Sequence, residues 1–198
     1  MVITHHGGQC FKVTFGDLTL AFDPISKKSK LSPVRFGADI ALVSKNDADY
    51  NGLEEASYGD KVPFAITGPG EYERGGVTIQ GVLTSNFNTI YSVNLEDMNL
   101  VHLGALADKN LSQEAREGLG EIDILFVPVG GDGVLSAADA SALATTLAPR
   151  IIIPMHYTDA SLKAFLKEEG SEGEKVEKLT IKKRDTVGKE GAIMVLTP

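Results

Sequence analysis

The chain is predicted to fold as an α/β sandwich, two β-sheets packed together with helices outside. Three observations predict it. The first half is a succession of short apolar runs separated by turn residues, the spacing of antiparallel strands. The second half alternates helical and strand patterns, the rhythm of strands joined by crossover helices. No linker-like stretch separates the halves, so residues 1–198 are read as one domain.

The strands of the first third are Val2–Thr4, Phe11–Phe15 and Leu18–Phe22, with Gly16-Asp17 as the two-residue turn of a hairpin. Asp23-Pro24 stops the third strand. Ile40–Val43 is a buried-type strand, followed by the polar segment Ser44–Asn51 and a short helix expected over Gly52–Ala56. Phe64–Thr67 leads into a glycine-rich segment, Gly68–Gly76, read as a turn. Glu71 and Tyr72 are assigned to fixing it. Val77–Val82, Thr89–Leu95 and Asn99–Leu103 follow, with Asp97-Met98 between the last two as a hairpin break.

After that the period changes. Ser112–Gly118 reads as a short helix ended by glycine. Ile122–Val127, apolar apart from Asp123, suits a strand covered on both faces. Ser136-Ala137-Ala138-Asp139 is close to a capping box and opens a helix to Leu147. Ile151–Ile153 is the next strand. Asp159 is placed as the cap of a helix ending at Glu169-Gly170. Ser171–Lys175 is read as a loop, and strands near Lys178–Lys182 and Ala192–Leu196 follow.

Bulk properties narrow the function classes. Net charge is −8 and the pI is about 5.0, which argues against a nucleic-acid surface. The short basic runs, Lys27-Lys28-Ser29-Lys30 and Lys182-Lys183-Arg184, are read as solvated. The single cysteine, Cys10, sits in an alternating strand pattern and is read as a buried thiol. One cysteine leaves no disulfide within the chain, which suits a reducing compartment. The N-terminal residues lack a signal-peptide pattern, and no apolar run reaches the ~18 residues of a membrane span. A cytoplasmic protein without membrane contact is expected.

Several segments together resemble the metallo-β-lactamase superfamily, in particular the branch with L-ascorbate-6-phosphate lactonase and related metal-dependent hydrolases. They are Ile3 to Phe11, Leu20-Ala21-Phe22-Asp23-Pro24, Ala38–Ser44, Gly70-Glu71-Tyr72 with Gly75-Gly76-Val77, Ile122–Gly131 and Ile153-Pro154-Met155-His156-Tyr157. The resemblance spans nearly the whole chain and implies a four-layer αββα sandwich. It also implies a centre in which His and Asp side chains hold two metal ions and generate a hydroxide nucleophile.

The ligand positions implied by that resemblance are largely lost. The main loop of active relatives reads Thr-His-x-His-x-Asp-His; the matching stretch is Ser44-Lys45-Asn46-Asp47-Ala48-Asp49-Tyr50. Lys45 and Tyr50 replace the first and third His, Asp47 replaces the second, and Asp49 is kept. The segment holding Thr84, Ser85, Asn86 and Asn88 has no histidine. Ala105 stands where the bridging Asp is expected after His102-Leu103-Gly104. His156 is the one imidazole retained.

Expectations for the site and the function follow. Asp49 and His156 are the catalytic candidates, as acid and base. Asp47, Asp49, His156 and a relocated His5 are the candidate ligands of a single Zn²⁺, Mn²⁺ or Fe²⁺, if any metal is held. His5 and His6, as strand neighbours, point to opposite faces, so at most one joins the site. Lys45 is expected to pair with the carboxylates and supply the charge a metal once gave. Gly130 and Gly131, ahead of the helix at Ser136, could expose amides to an anion. His102 is assigned to the core. The leading function is a degenerate superfamily member with a binding or structural role. The competing one is a divergent metal-dependent hydrolase of a lactone, a phosphodiester or RNA. A small molecule and a second copy of the chain are the partners left open.

Overall fold

The computed structural model describes residues 1–198. Fourteen strands form two sheets. They are β1 (Val2–His5), β2 (Phe11–Phe15), β3 (Leu18–Phe22), β4 (Ile40–Leu42), β5 (Phe64–Ile66), β6 (Gly70–Arg74), β7 (Val77–Leu83), β8 (Thr89–Leu95), β9 (Met98–His102), β10 (Ile124–Pro128), β11 (Ile151–Met155), β12 (Glu174–Val176), β13 (Lys178–Thr180) and β14 (Ala192–Leu196). The helices are α1 (Gln113–Leu119), α2 (Ala137–Leu147) and α3 (Asp159–Glu168).

The first sheet has the order β13-β1-β2-β3-β4-β5 and the second the order β12-β14-β11-β10-β9-β8-β7-β6. The first half of the chain makes antiparallel hairpins, such as β2 with β3 and β8 with β9. The second half makes parallel pairs, β9 with β10, β10 with β11 and β11 with β14. The change of rhythm in the sequence is therefore a change of strand direction.

The inner faces meet in one apolar layer. Phe126 of β10 sits at its centre, its ring centroid 4.6 Å from that of Phe11 and 5.8 Å from that of Phe22. Leu125 and Val127 of β10 point the other way, into a second cluster with Leu143 of α2 and Phe165 of α3. A strand buried on both faces needs apolar residues in both phases, hence the run Ile124 to Val127.

The outer face of the first sheet is covered differently. No helix lies there. Ala21, Ala38, Ala41 and Ala56 form one small cluster and Cys10, Ile25 and Val34 another, beneath turns from residues 23–39 and 44–57. The helix expected over Gly52–Ala56 is a single turn, closed by Ala56 N–H donating to Gly52 O at 3.0 Å. Packing explains it: a Cβ on Gly52 would lie 2.5 Å from the backbone carbonyl of Ile25, so this segment is jammed against its neighbour.

Two strands lay outside the expectation. β6 occupies the segment read as a glycine-rich turn, and β12 lies in the segment read as a loop. Both are edge strands, polar and mostly exposed, so neither carries an apolar signal. Lys183, read as solvated, reaches the buried carboxylate of Asp123 at 2.8 and 2.9 Å. The cap of α3 is Thr158, one residue before the expected Asp159. Ser136 caps α2, its Oγ accepting the Asp139 N–H at 3.1 Å. Ser136→Ala should cost about 1 kcal/mol, read as a lower midpoint in urea unfolding.

Candidate functional site

One end of the sandwich collects the segments singled out in the sequence. β1, β3, β4, β9, β10 and β11 all finish there, and their following loops bring Gln9, Asp23, Ser44–Tyr50, His102–Ala105, Gly130–Gly131 and His156 to the same rim. Two of these residues, Asp23 and His156, have left-handed backbones, with φ of 43° and 48°. Non-glycine residues adopt that conformation where surrounding bonds hold them, a common feature of functional rims. His156 is held by its N–H donating to Gly8 O at 2.8 Å, and Asp23 by its N–H donating to Leu42 O at 2.8 Å.

Beneath the rim lies a buried polar chain. Asp23 is 1 % exposed. Its carboxylate accepts the Ser44 N–H and the Ser44 hydroxyl, both at 2.7 Å. Burial nonetheless wins over these bonds and pushes the acid up to about 7. His102, fully buried, stacks on Phe22 with ring centroids 5.0 Å apart. Its Nδ1 accepts the Gly104 N–H at 3.2 Å, which leaves Nε2 to donate to Gln9 O at 3.0 Å. That pattern needs a neutral ring, and burial lowers the pKa to about 4. His102 is thus a core residue, as its strand position suggested. Its Nδ1 lies 3.9 Å from the Asp23 carboxylate.

The rim itself differs from the expected ligand set. His5 does not join Asp47, Asp49 and His156. Its ring stacks on Phe11 at 4.6 Å, with Nδ1 3.0 Å from Leu196 O and Nε2 3.2 Å from Gly8 O. Alternation along β1 aims it into the sandwich. Desolvation there lowers its pKa, although both carbonyls pull it up. Asp49 accepts the Ser29 hydroxyl, and its own N–H donates to Asp47 Oδ1 at 3.0 Å. Both carboxylates of the loop are therefore engaged locally. Lys45 forms no ion pair with them, so the expected salt-bridged replacement of a metal is not made.

His156 is half-buried. Its Nδ1 accepts from the Gln9 amide nitrogen at 3.3 Å. Desolvation lowers its pKa, opposed by the nearby charges of Asp49 and Asp132. No hydrogen bond joins Asp49 to His156, so the expected acid–base pair is not coupled directly. Gly130 backs the His156 loop closely: a Cβ there would lie 2.2 Å from His156 O. The Gly131 N–H is used within its own turn, donating to Leu135 O at 3.0 Å, which leaves it unavailable to an anion.

Where the family resemblance places further ligands, the structure packs side chains together. Tyr50, Ala105 and Val134 form a buried apolar cluster. The Tyr50 ring lies 6.5 Å from that of His156. Burial and the charges of Asp23, Asp49 and Asp47 keep its phenol protonated. Asn88 is fully buried and donates to Leu103 O at 3.0 Å while accepting the Ala105 N–H at 2.7 Å. It ties the loop after β9 to the loop before β8. No three His, Cys, Asp or Glu side chains gather in a group able to hold a metal. The residues present therefore do not fit a two-metal centre.

Gln9 is the rim residue that sequence reasoning did not single out. It is fully buried, it touches His156 and, through its carbonyl, His102, and its Oε1 has no hydrogen-bond partner. Gln9 lies in the turn between β1 and β2, and the strand-like pattern around Cys10 did not mark its burial.

Comparison with known proteins agrees with the fold. Residues 2–156 match the model of a family described as a beta-lactamase superfamily domain. A UPF0173 protein of Pyrococcus abyssi is 26% identical over 178 residues, covering 79% of this chain and 83% of the relative. A Listeria monocytogenes protein named a UPF0173 metal-dependent hydrolase is 25% identical over 207 residues, covering 83% and 88%. Among solved structures, a Thermotoga maritima member of the metallo-beta-lactamase superfamily superposes with a TM-score of 0.82 at 28% identity, covering 100% of both chains. A Parabacteroides distasonis structure, 19% identical with a TM-score of 0.66 over 85% of this chain and 89% of its own, shares the fold.

Proposed function

The chain belongs to the beta-lactamase superfamily, and from that premise we propose that it is a member whose hydrolase centre has been rebuilt as a packed, non-catalytic rim serving a binding or structural role. The observation that carries this is the cluster of Tyr50, Ala105 and Val134. Two positions that the family resemblance assigns to metal ligands instead pack with each other and with Val134. The engagement of Asp49 by Ser29 and of His156 by Gln9 supports the same reading. A cytoplasmic, one-domain protein without a resident metal is part of the proposal. No helix is long and apolar enough to cross a membrane.

Metal content tests it. Protein purified without a histidine tag, with and without added Zn²⁺, Mn²⁺ or Fe²⁺, should hold far less than one equivalent by mass spectrometry. One tight equivalent that disappears in Asp49→Ala or His156→Ala would overturn the proposal.

A second reading is kept by one observation: the retained His156 lies in the field of two carboxylates, Asp49 and Asp132. The hydrolase name of the Listeria relative supports it. On that reading a single divalent ion would be held and the substrate would be a lactone, a phosphodiester or RNA, the acidic charge making RNA the least suited. A rise in melting temperature with Zn²⁺ or Mn²⁺ in the parent, absent in His156→Ala, would favour it.

A further inference from the structure

Across Gly7 from the rim lies a cavity of about 690 Å³, a size that suits a small organic ligand. One wall is His5, His6 and Gly7, the other is the segment from Leu31 to Phe36, and Pro198 completes the lining. Its surface is apolar at Leu31, Pro33 and Phe36. The charge lining it is Arg35, which makes no ion pair within the chain. No Asp or Glu side chain lines the cavity, in a protein whose net charge is −8, and the main-chain carboxyl group of Pro198 forms no ion pair with Arg35. Phe36 is flanked by the His6 ring, with centroids 4.7 Å apart, and by the Lys12 ammonium, 5.1 Å from its centroid. An aromatic ring and an unpaired guanidinium thus line one cavity, and the Lys12 ammonium, outside the lining, sits over that ring.

We propose that this cavity binds a small aromatic carboxylate, with its carboxylate on Arg35 and its ring along Phe36 and Leu31. A guanidinium presents paired N–H donors that match a carboxylate. The apolar walls leave room for a flat hydrocarbon body, which an inorganic anion lacks. The proposal does not rest on whether the neighbouring rim is catalytic.

Isothermal titration of the full chain with sodium benzoate, benzamide and inorganic phosphate tests it. Benzoate should bind with one equivalent, and neither benzamide nor phosphate should match it. Arg35→Ala should weaken benzoate about ten- to hundredfold, the loss of a charged hydrogen-bonding partner. Arg35→Lys should recover part of that. Arg35 is exposed, so these variants should keep the parent's circular dichroism. Benzoate binding that is absent, unchanged by Arg35→Ala, or matched by phosphate or benzamide overturns the proposal. None of these results depends on metal content, so this inference and the reading of the rim fail separately.

Discussion

Gly104→Ala is expected to destabilise the protein by about 3 kcal/mol or more, among the largest effects of any single methyl group here. Two costs add. Gly104 has φ +57°, a left-handed backbone that costs an L-residue roughly 1–2 kcal/mol. The added Cβ would also lie 2.4 Å from Ser44 Cβ and 2.5 Å from Asn88 Oδ1. Neither neighbour can give way cheaply. Ser44 is pinned by two bonds to Asp23, and Asn88 by bonds to Thr84, Leu103 and Ala105. Gly188→Ala is the control: its φ is +76° with nothing within 4 Å of the new Cβ. It should lose only the backbone strain, about 1 kcal/mol. Urea unfolding of the two variants measures the difference. Equal losses would show that the contact with Ser44 and Asn88 is not the cause.

That glycine marks where the sequence is legible. A glycine between His102 and Ala105 keeps its conformational role whether or not the next residue ligates a metal. The fold shares that property. β2, β3, β8 and β14 lie within the stretches marked by their apolar patterns, because each buries one or both faces. β6 and β12 are invisible to that signal. They are held by backbone bonds to a neighbouring strand and bury almost nothing. The site was legible by substitution: Lys45, Tyr50 and Ala105 announce altered chemistry from their residue types. What those residues do instead was not legible. Whether Lys45 reaches a carboxylate depends on a rotamer, and the loop resolves its charges through Ser29 and its own backbone. Gln9 was hidden for a related reason, since a glutamine in a turn is ordinarily exposed and nothing in its neighbours marks it as buried.

The buried pair of Asp23 and His102 should add a pH dependence to the protein's stability only when one partner is removed. Between about pH 4 and 6.5 the unfolded chain carries one proton on these two groups, because its Asp is ionised and its His protonated. The native chain also carries one. Burial holds Asp23 protonated up to about 7 and keeps His102 neutral down to about 4. Equal proton counts mean no slope from the pair. In Asp23→Asn the histidine acts alone. Its native pKa is depressed, so the unfolded state binds the extra proton, and stability should rise with pH across this window by about 3 kcal/mol. In His102→Gln the acid acts alone. Its native pKa is raised, so the native state binds the extra proton, and stability should fall by about 4 kcal/mol as pH rises from about 4 to 7. The remaining titratable groups contribute alike to all three proteins, so the differences between their curves isolate the pair. Denaturant unfolding at intervals across pH 4 to 7 measures them. Three parallel curves would show that burial does not shift Asp23 and His102 in opposite directions; opposite slopes in the two variants would show that the rim is built on a neutral, proton-balanced pair.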